Sequence, residues 1–125
     1  MKSKQYCPDE CYANRITGIY ERGLAPLTKN LDPERHLVYQ NREQKTYRPA
    51  ASLPLAEALL KIGSGDTIEQ AVAILNAVLP SQVTDKDHPH VGNWLWLADD
   101  NDIEDLNAVF FVMRSLIPIL DGMPQ

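Results

Sequence analysis

The chain has 125 residues, 44% of them hydrophobic and 23% charged, with a formal net charge of −5. That length suits one globular domain spanning 1–125, and the composition excludes the disordered and low-complexity classes. No apolar run approaches the roughly 20 residues of a membrane span. The start, Met1 to Tyr6, is basic as in an export signal but no apolar stretch follows it, so a cytoplasmic protein without a membrane role is expected.

The first predicted element is a helix over 8–22. Cys7 stands at the N-cap position, Pro8 suits the first helical position, and Asp9 and Glu10 complement the positive end of the helix dipole. Tyr12, Ile16, Ile19 and Tyr20 recur at helical spacing on one face, and Gly23 reads as the stop. Residues 24–50 carry Pro26, Pro33 and Pro49. Within them His36–Gln40 and Lys45–Arg48 read as a short hairpin across Asn41–Gln44, with a helical turn at Asp32–Arg35 as the alternative.

A helical hairpin follows over 53–79. Leu55, Ala56, Leu59 and Leu60 stripe its first helix, and Glu57 and Lys61 are spaced for an i,i+4 ion pair. Gly63-Ser64-Gly65 closes that helix. Asp66 and Glu69 have the spacing of a capping box for the next. Ile68, Ala71, Val72, Leu75, Val78 and Leu79 share a face there, and Ala73, Ile74 and Ala77 extend it nearly all round, which predicts burial on more than one side. A polar loop over 81–93 precedes Asn93–Leu97, a short extended run. A last helix is expected from Asp102 to Leu120, its core face marked by Ile103, Leu106, Phe110, Met113, Ile117 and Leu120 with Val109, Val112 and Leu116 beside them, and with Phe111 on the otherwise polar side. The whole predicts a mainly α fold: a compact bundle of about four helices with a small β hairpin or extended component.

Several features bear on chemistry and are weak. The second helix of the 53–79 hairpin has no Lys or Arg, so it cannot act as a DNA-recognition helix, which needs cations for phosphates and base edges. Gly63–Thr67 lacks the lysine of a phosphate-binding loop. Cys7 and Cys11 read as free thiols in a reducing compartment. With His88 and His90 they form a four-ligand zinc set in residue type alone. The carboxylates of 99–105 are of the kind that hard cations favour, but without calcium-loop spacing. No nucleophile has an identifiable base, so a non-enzymatic protein without a cofactor is the main expectation. A metal-dependent hydrolase or zinc-stabilised domain built on those residues is the alternative.

Charge distribution is more informative than its sum. Residues 1–50 carry +3 and residues 51–125 carry −8, and seven carboxylates face Lys86 alone between positions 85 and 105. Such a segment repels nucleic-acid backbones and attracts cationic surfaces. In an extended strand Trp94 and Trp96 share one face, with Leu95 and Leu97 directed to the core. Aromatic anchors within a charged rim are what protein interfaces favour. The expected binding face is therefore Asp85, Asp87, Trp94, Trp96, Asp99, Asp100, Asp102, Glu104 and Asp105. Its expected occupant is a basic protein, which the chain would inhibit in the manner of an immunity protein that neutralises a toxin or a nucleic-acid-handling protein. The apolar last helix adds self-association as a further expectation.

Overall fold

The computed structural model describes residues 8–122. It is mainly helical, with a small antiparallel sheet inserted between the first two helices. Helix α1 spans Pro8–Lys29, β1 Leu31–Asp32, β2 Leu37–Asn41 and β3 Thr46–Tyr47. Helices α2 (Pro49–Ile62) and α3 (Gly65–Val78) come next, then a 3-10 turn at Leu79–Ser81, a long loop, and α4 (Ala108–Asp121). No helix among the described residues is long and apolar enough to cross a membrane.

Helix α1 runs six residues past the expected stop at Gly23 and includes Pro26. Burial accounts for the extension: Leu24 lies in the core and Leu27 packs against it. The α1 end is held from outside, where Arg42 donates to the carbonyl of Lys29 and Asn30 Nδ2 donates to the carbonyl of Tyr39 at 3.0 Å. Ile19, expected on the buried face, is exposed. The proposed N-cap, Cys7, lies outside the described residues.

The hairpin read at 36–48 is present, its loop shifted by one residue to 42–45. Tyr39 pairs with Tyr47 and Asn41 with Thr46, with an irregularity between Tyr39 and Asn41. Strand β1 adds a third strand, pairing Leu31 with Val38 and Asp32 with Leu37. A two-residue strand has too few positions to show the alternation by which strands are read. Both tight turns end in a left-handed residue, His36 at φ 57° and Lys45 at φ 52°.

Ser52 joins this sheet to α2. Its buried hydroxyl accepts the N–H of Val38 at 2.9 Å and donates to the carbonyl of Arg48 at 3.0 Å. Leu53, Leu55, Ala56 and Leu59 then place α2 at the centre of the core. Gly63, left-handed at φ 73°, ends α2 with its N–H on the Leu59 carbonyl. The cap of α3 is Ser64, not Asp66: its hydroxyl accepts the N–H of Thr67 at 3.3 Å. Only Ala71, Ile74 and Val78 of α3 are buried, whereas Ile68, Val72 and Leu79 are exposed. Helix α3 thus rests on α2 along one face, flanked by half-buried Leu75 and Ala77, while the side of Ile68 and Val72 is open, and burial on several sides is corrected to burial on one.

Helix α4 starts six residues later than expected. The core takes Ala108, Val112, Ser115 and Ile119, and the stripe read as its core face points away. Leu106, Phe110, Ile117 and Leu120 are all exposed. Spacing alone identifies the most apolar face of a helix, and here the neighbours pack against the opposite one.

Candidate functional site

The acidic segment lies in the long loop between the 3-10 turn and α4. A loop of this length without regular structure is uncommon in a small domain and is often functional. It is not loosely held. Gln82 bridges to Trp94, Val83 N–H reaches the carbonyl of Asn93 at 2.9 Å, and Gly92 N–H reaches that of Val83 at 2.7 Å. Leu95 N–H bonds to the Ser81 carbonyl and Ala98 N–H to that of Tyr47, both at 2.9 Å, so the loop is tied to the 3-10 turn and to β3. Asn93 ties it to α4: Oδ1 accepts the N–H of Val109 at 3.1 Å and of Trp94 at 2.8 Å, and Nδ2 donates to the Leu106 carbonyl at 3.3 Å.

The two tryptophans do not form the expected exposed pair. Trp94 is 1% exposed and belongs to the core, so its role as an interface anchor is withdrawn. Trp96 is half-buried and already in contact with other groups. The Arg48 guanidinium lies 4.1 Å from its ring centroid, and Phe111 meets it edge-on at 5.8 Å. Leu95 and Leu97, expected in the core, are only half-buried. The cause is that 93–97 is not a strand; one isolated bridge does not impose a two-residue alternation.

Five of the seven expected acidic residues have structural partners among the described residues. Asp85 Oδ1 accepts the N–H of Asp87 at 3.0 Å, Asp100 Oδ2 that of Leu97 at 2.9 Å, and Asp105 Oδ1 that of Asn107 at 2.8 Å. The bonds of Asp85 and Asp105, each from the N–H two residues on, are side-chain turns of the kind aspartate favours, whereas Asp100 bonds back to the first residue of its own turn. Asp102 Oδ1 accepts the N–H of Ile103 and meets His88 Nε2, both at 2.7 Å. Its carboxyl is held below the usual range, first by the Ile103 amide and then by His88. Because His88 Nδ1 accepts the N–H of His90 at 2.9 Å, the proton of the neutral ring sits on Nε2 and points at Asp102.

Asp99 makes a two-pronged ion pair with Arg35, at 2.8 and 3.2 Å. The pair lowers the carboxyl of Asp99 and raises Arg35, the shared hydrogen bonds being the main cause in both. Asp87 and Glu104 are exposed and have no side-chain hydrogen bond among the described residues. Arg35 also lies over the ring of Tyr47, 4.5 Å from its centroid, and so leads to a group that the sequence reading passed over. Asp32 there accepts four hydrogen bonds: from the hydroxyls of Tyr47 and Tyr39 and from the N–H groups of Glu34 and Arg35. The two tyrosine rings stack at 4.9 Å. The bond from Tyr47, then that from Glu34, hold Asp32 well below the usual carboxylate range, while the same bond and burial push Tyr47 above the usual phenol range. The hairpin that carries them was readable, but their register was not, and the reach to Asp32 depended on β1, which was not readable either.

No family model, curated protein or solved structure matches this chain. Function therefore rests on the geometry alone. The Asp32 group is acceptor and donors already satisfied by one another, the arrangement of a structural network. For the metal alternative, no three His, Cys, Asp or Glu side chains among the described residues gather closely enough to hold an ion. His88 faces Asp102, Cys11 is exposed, and Cys7 lies outside the described residues. The remaining chemical character of the loop is negative charge on an ordered surface.

Proposed function

We propose that the chain is a non-enzymatic binding domain that engages a basic protein through the 85–105 loop. The supporting observation is that Asp85, Asp87, Asp99, Asp102 and Glu104 are all exposed along one bonded, compact loop with Lys86 as its single lysine or arginine. An ordered loop carries its charges into an encounter without first being ordered, so less entropy is lost on binding. Its field speeds association with a cationic surface and disfavours acidic partners and nucleic acid. Neutralising a toxin or another nucleic-acid-handling protein is the role this chemistry suits, since such proteins expose cationic surfaces to bind phosphates.

The test is affinity capture from the source cell at low salt, followed by kinetics on the retained protein. A basic protein whose association slows steeply from about 50 mM to 500 mM salt is expected, as screening shortens the reach of exposed charges. Association indifferent to salt would refute the acidic-loop reading.

A further inference from the structure

Helix α4 presents an outer stripe that the other described residues leave uncovered. Leu106, in the turn before the helix, is 59% exposed, Phe110 62%, Ile117 60% and Leu120 58%, with half-buried Met113 between them. Their separations of four, three, four and three residues are the seam spacing of a coiled coil, maintained over two heptads. A lone exposed leucine needs no explanation, but a continuous seam opposite the face already used by the core does. From this seam we infer that a second copy of the chain packs on α4, antiparallel and about a two-fold axis near Met113.

Three points favour that occupant. The first is area. The four most exposed side chains leave on the order of 100 Å² each in water, so two copies have roughly 800–900 Å² of apolar surface between them. Partly buried residues at the margins take the total to about the 1,000 Å² that a specific interface requires. The second is self-complementarity. Reversing the helix about Met113 sets Leu106 beside Leu120 of the other copy and Phe110 beside Ile117, so large side chains meet throughout the seam. A two-fold interface must be its own complement in this way.

The third point selects the orientation. One flank of the seam is half-buried and apolar, Val109 and Leu116; the other is Asn107, Arg114 and Asp121. Parallel pairing sets each flank against the opposite one and places Val109 and Leu116 against Arg114 and Asp121. Antiparallel pairing sets like flank against like, apolar on apolar and polar on polar, with Asn107 near Asp121 of the other copy and the exposed Arg114 near its own counterpart. It leaves no charge facing an apolar flank. This inference is independent of the acidic loop.

The experiment is sedimentation equilibrium of the full chain from about 5 to 200 μM, with far-UV circular dichroism as a check on folding. A species of twice the 14.1 kDa chain mass is expected. Phe110→Glu with Ile117→Glu should return it to the monomer with the helical signal kept. Oxidation of Met113→Cys, in a Cys7→Ser, Cys11→Ser background, reads the orientation and remains informative if the glutamate variant fails to fold. A symmetric 113–113 disulfide is expected, whereas Leu106→Cys should not join to itself but should join to Leu120→Cys when the two variants are mixed. A monomer at 200 μM, a dimer unchanged in the folded glutamate variant, or a 106–106 disulfide would each overturn the inference.

Discussion

The side-chain oxygen of Asn93 accepts the backbone N–H of Val109 at 3.1 Å, so a residue sixteen positions away caps the N-terminus of α4. The residue at the sequential cap position, Asn107, makes no side-chain cap bond. Because Asn93 also bonds Trp94 and Leu106, it fixes the loop and the helix relative to each other. Asn93→Ala removes all three bonds and is expected to destabilise the fold by about 1–3 kcal/mol. Asn93→Asp keeps the acceptor at the positive end of the helix and should recover much of that loss. Urea unfolding of the two variants beside the parent measures both effects.

The Asp32–Tyr47 pair predicts a stability profile that falls at both ends of the pH scale. Asp32 titrates below its ordinary value in the folded chain, so its contribution is complete above about pH 4 and is lost as pH drops further. Tyr47 titrates above its ordinary value, so its contribution is complete below about pH 10 and is lost as pH rises through the folded value. Asp32→Asn should flatten the acid limb, and Tyr47→Phe should remove the alkaline one. Urea midpoints taken between pH 2 and pH 11 decide it. An acid limb as steep in Asp32→Asn as in the parent would show that other carboxylates govern acid unfolding.

Burial, not hydrophobicity, orders the positions of α3. Ile74 is fully buried and Val72, two residues away, is exposed. Ile74→Ala should therefore cost about 2–5 kcal/mol, and Val72→Ala should fall within about 0.5 kcal/mol of the parent, Ala being the better helix former. Denaturant midpoints of the two variants measure this directly. Equal losses would mean that α3 is covered on the Val72 side in solution.

That contrast shows where sequence was a sufficient guide. The α2–α3 hairpin was legible because Gly63 and Gly65 mark its turn and both helices carry periodic apolar residues. Continuation of α1 past Gly23 was not, because the long-range burial of Leu24 outweighs a local stop. Helix α4 carries two apolar faces, and periodicity ranks them by hydrophobicity without saying which one the neighbours cover. At the candidate site, the concentration of charge was plain from composition. The partners of that charge were hidden because Arg35 lies 64 positions from Asp99 and reaches it only once the hairpin and loop are folded together.

The loop's carboxylates separate into two groups, and the functional proposal makes a different prediction for each. Mutual repulsion among seven acids is a cost, and the fold offsets it for five of them. Asp85, Asp100 and Asp105 close turns, Asp102 holds an amide and His88, and Asp99 pairs with Arg35. Those five need no partner to account for their presence. Asp87 and Glu104 have no such bond among the described residues, so only charge is lost when they are neutralised. Asp87→Asn with Glu104→Gln should leave the melting temperature unchanged or slightly raised, since two repelling charges are gone and no hydrogen bond is. The same variant should slow association with a basic partner several-fold at low salt, and this deficit should vanish by about 500 mM salt, where exposed charges no longer act at a distance. Asp99→Asn is the contrasting case: losing the Arg35 pair should loosen the loop, so thermal unfolding and binding should change together. Differential scanning calorimetry and stopped-flow association on the three proteins separate the outcomes. If the Asp87, Glu104 double variant associates as fast as the parent at low salt, the loop's field does not guide the encounter and the partner binds elsewhere.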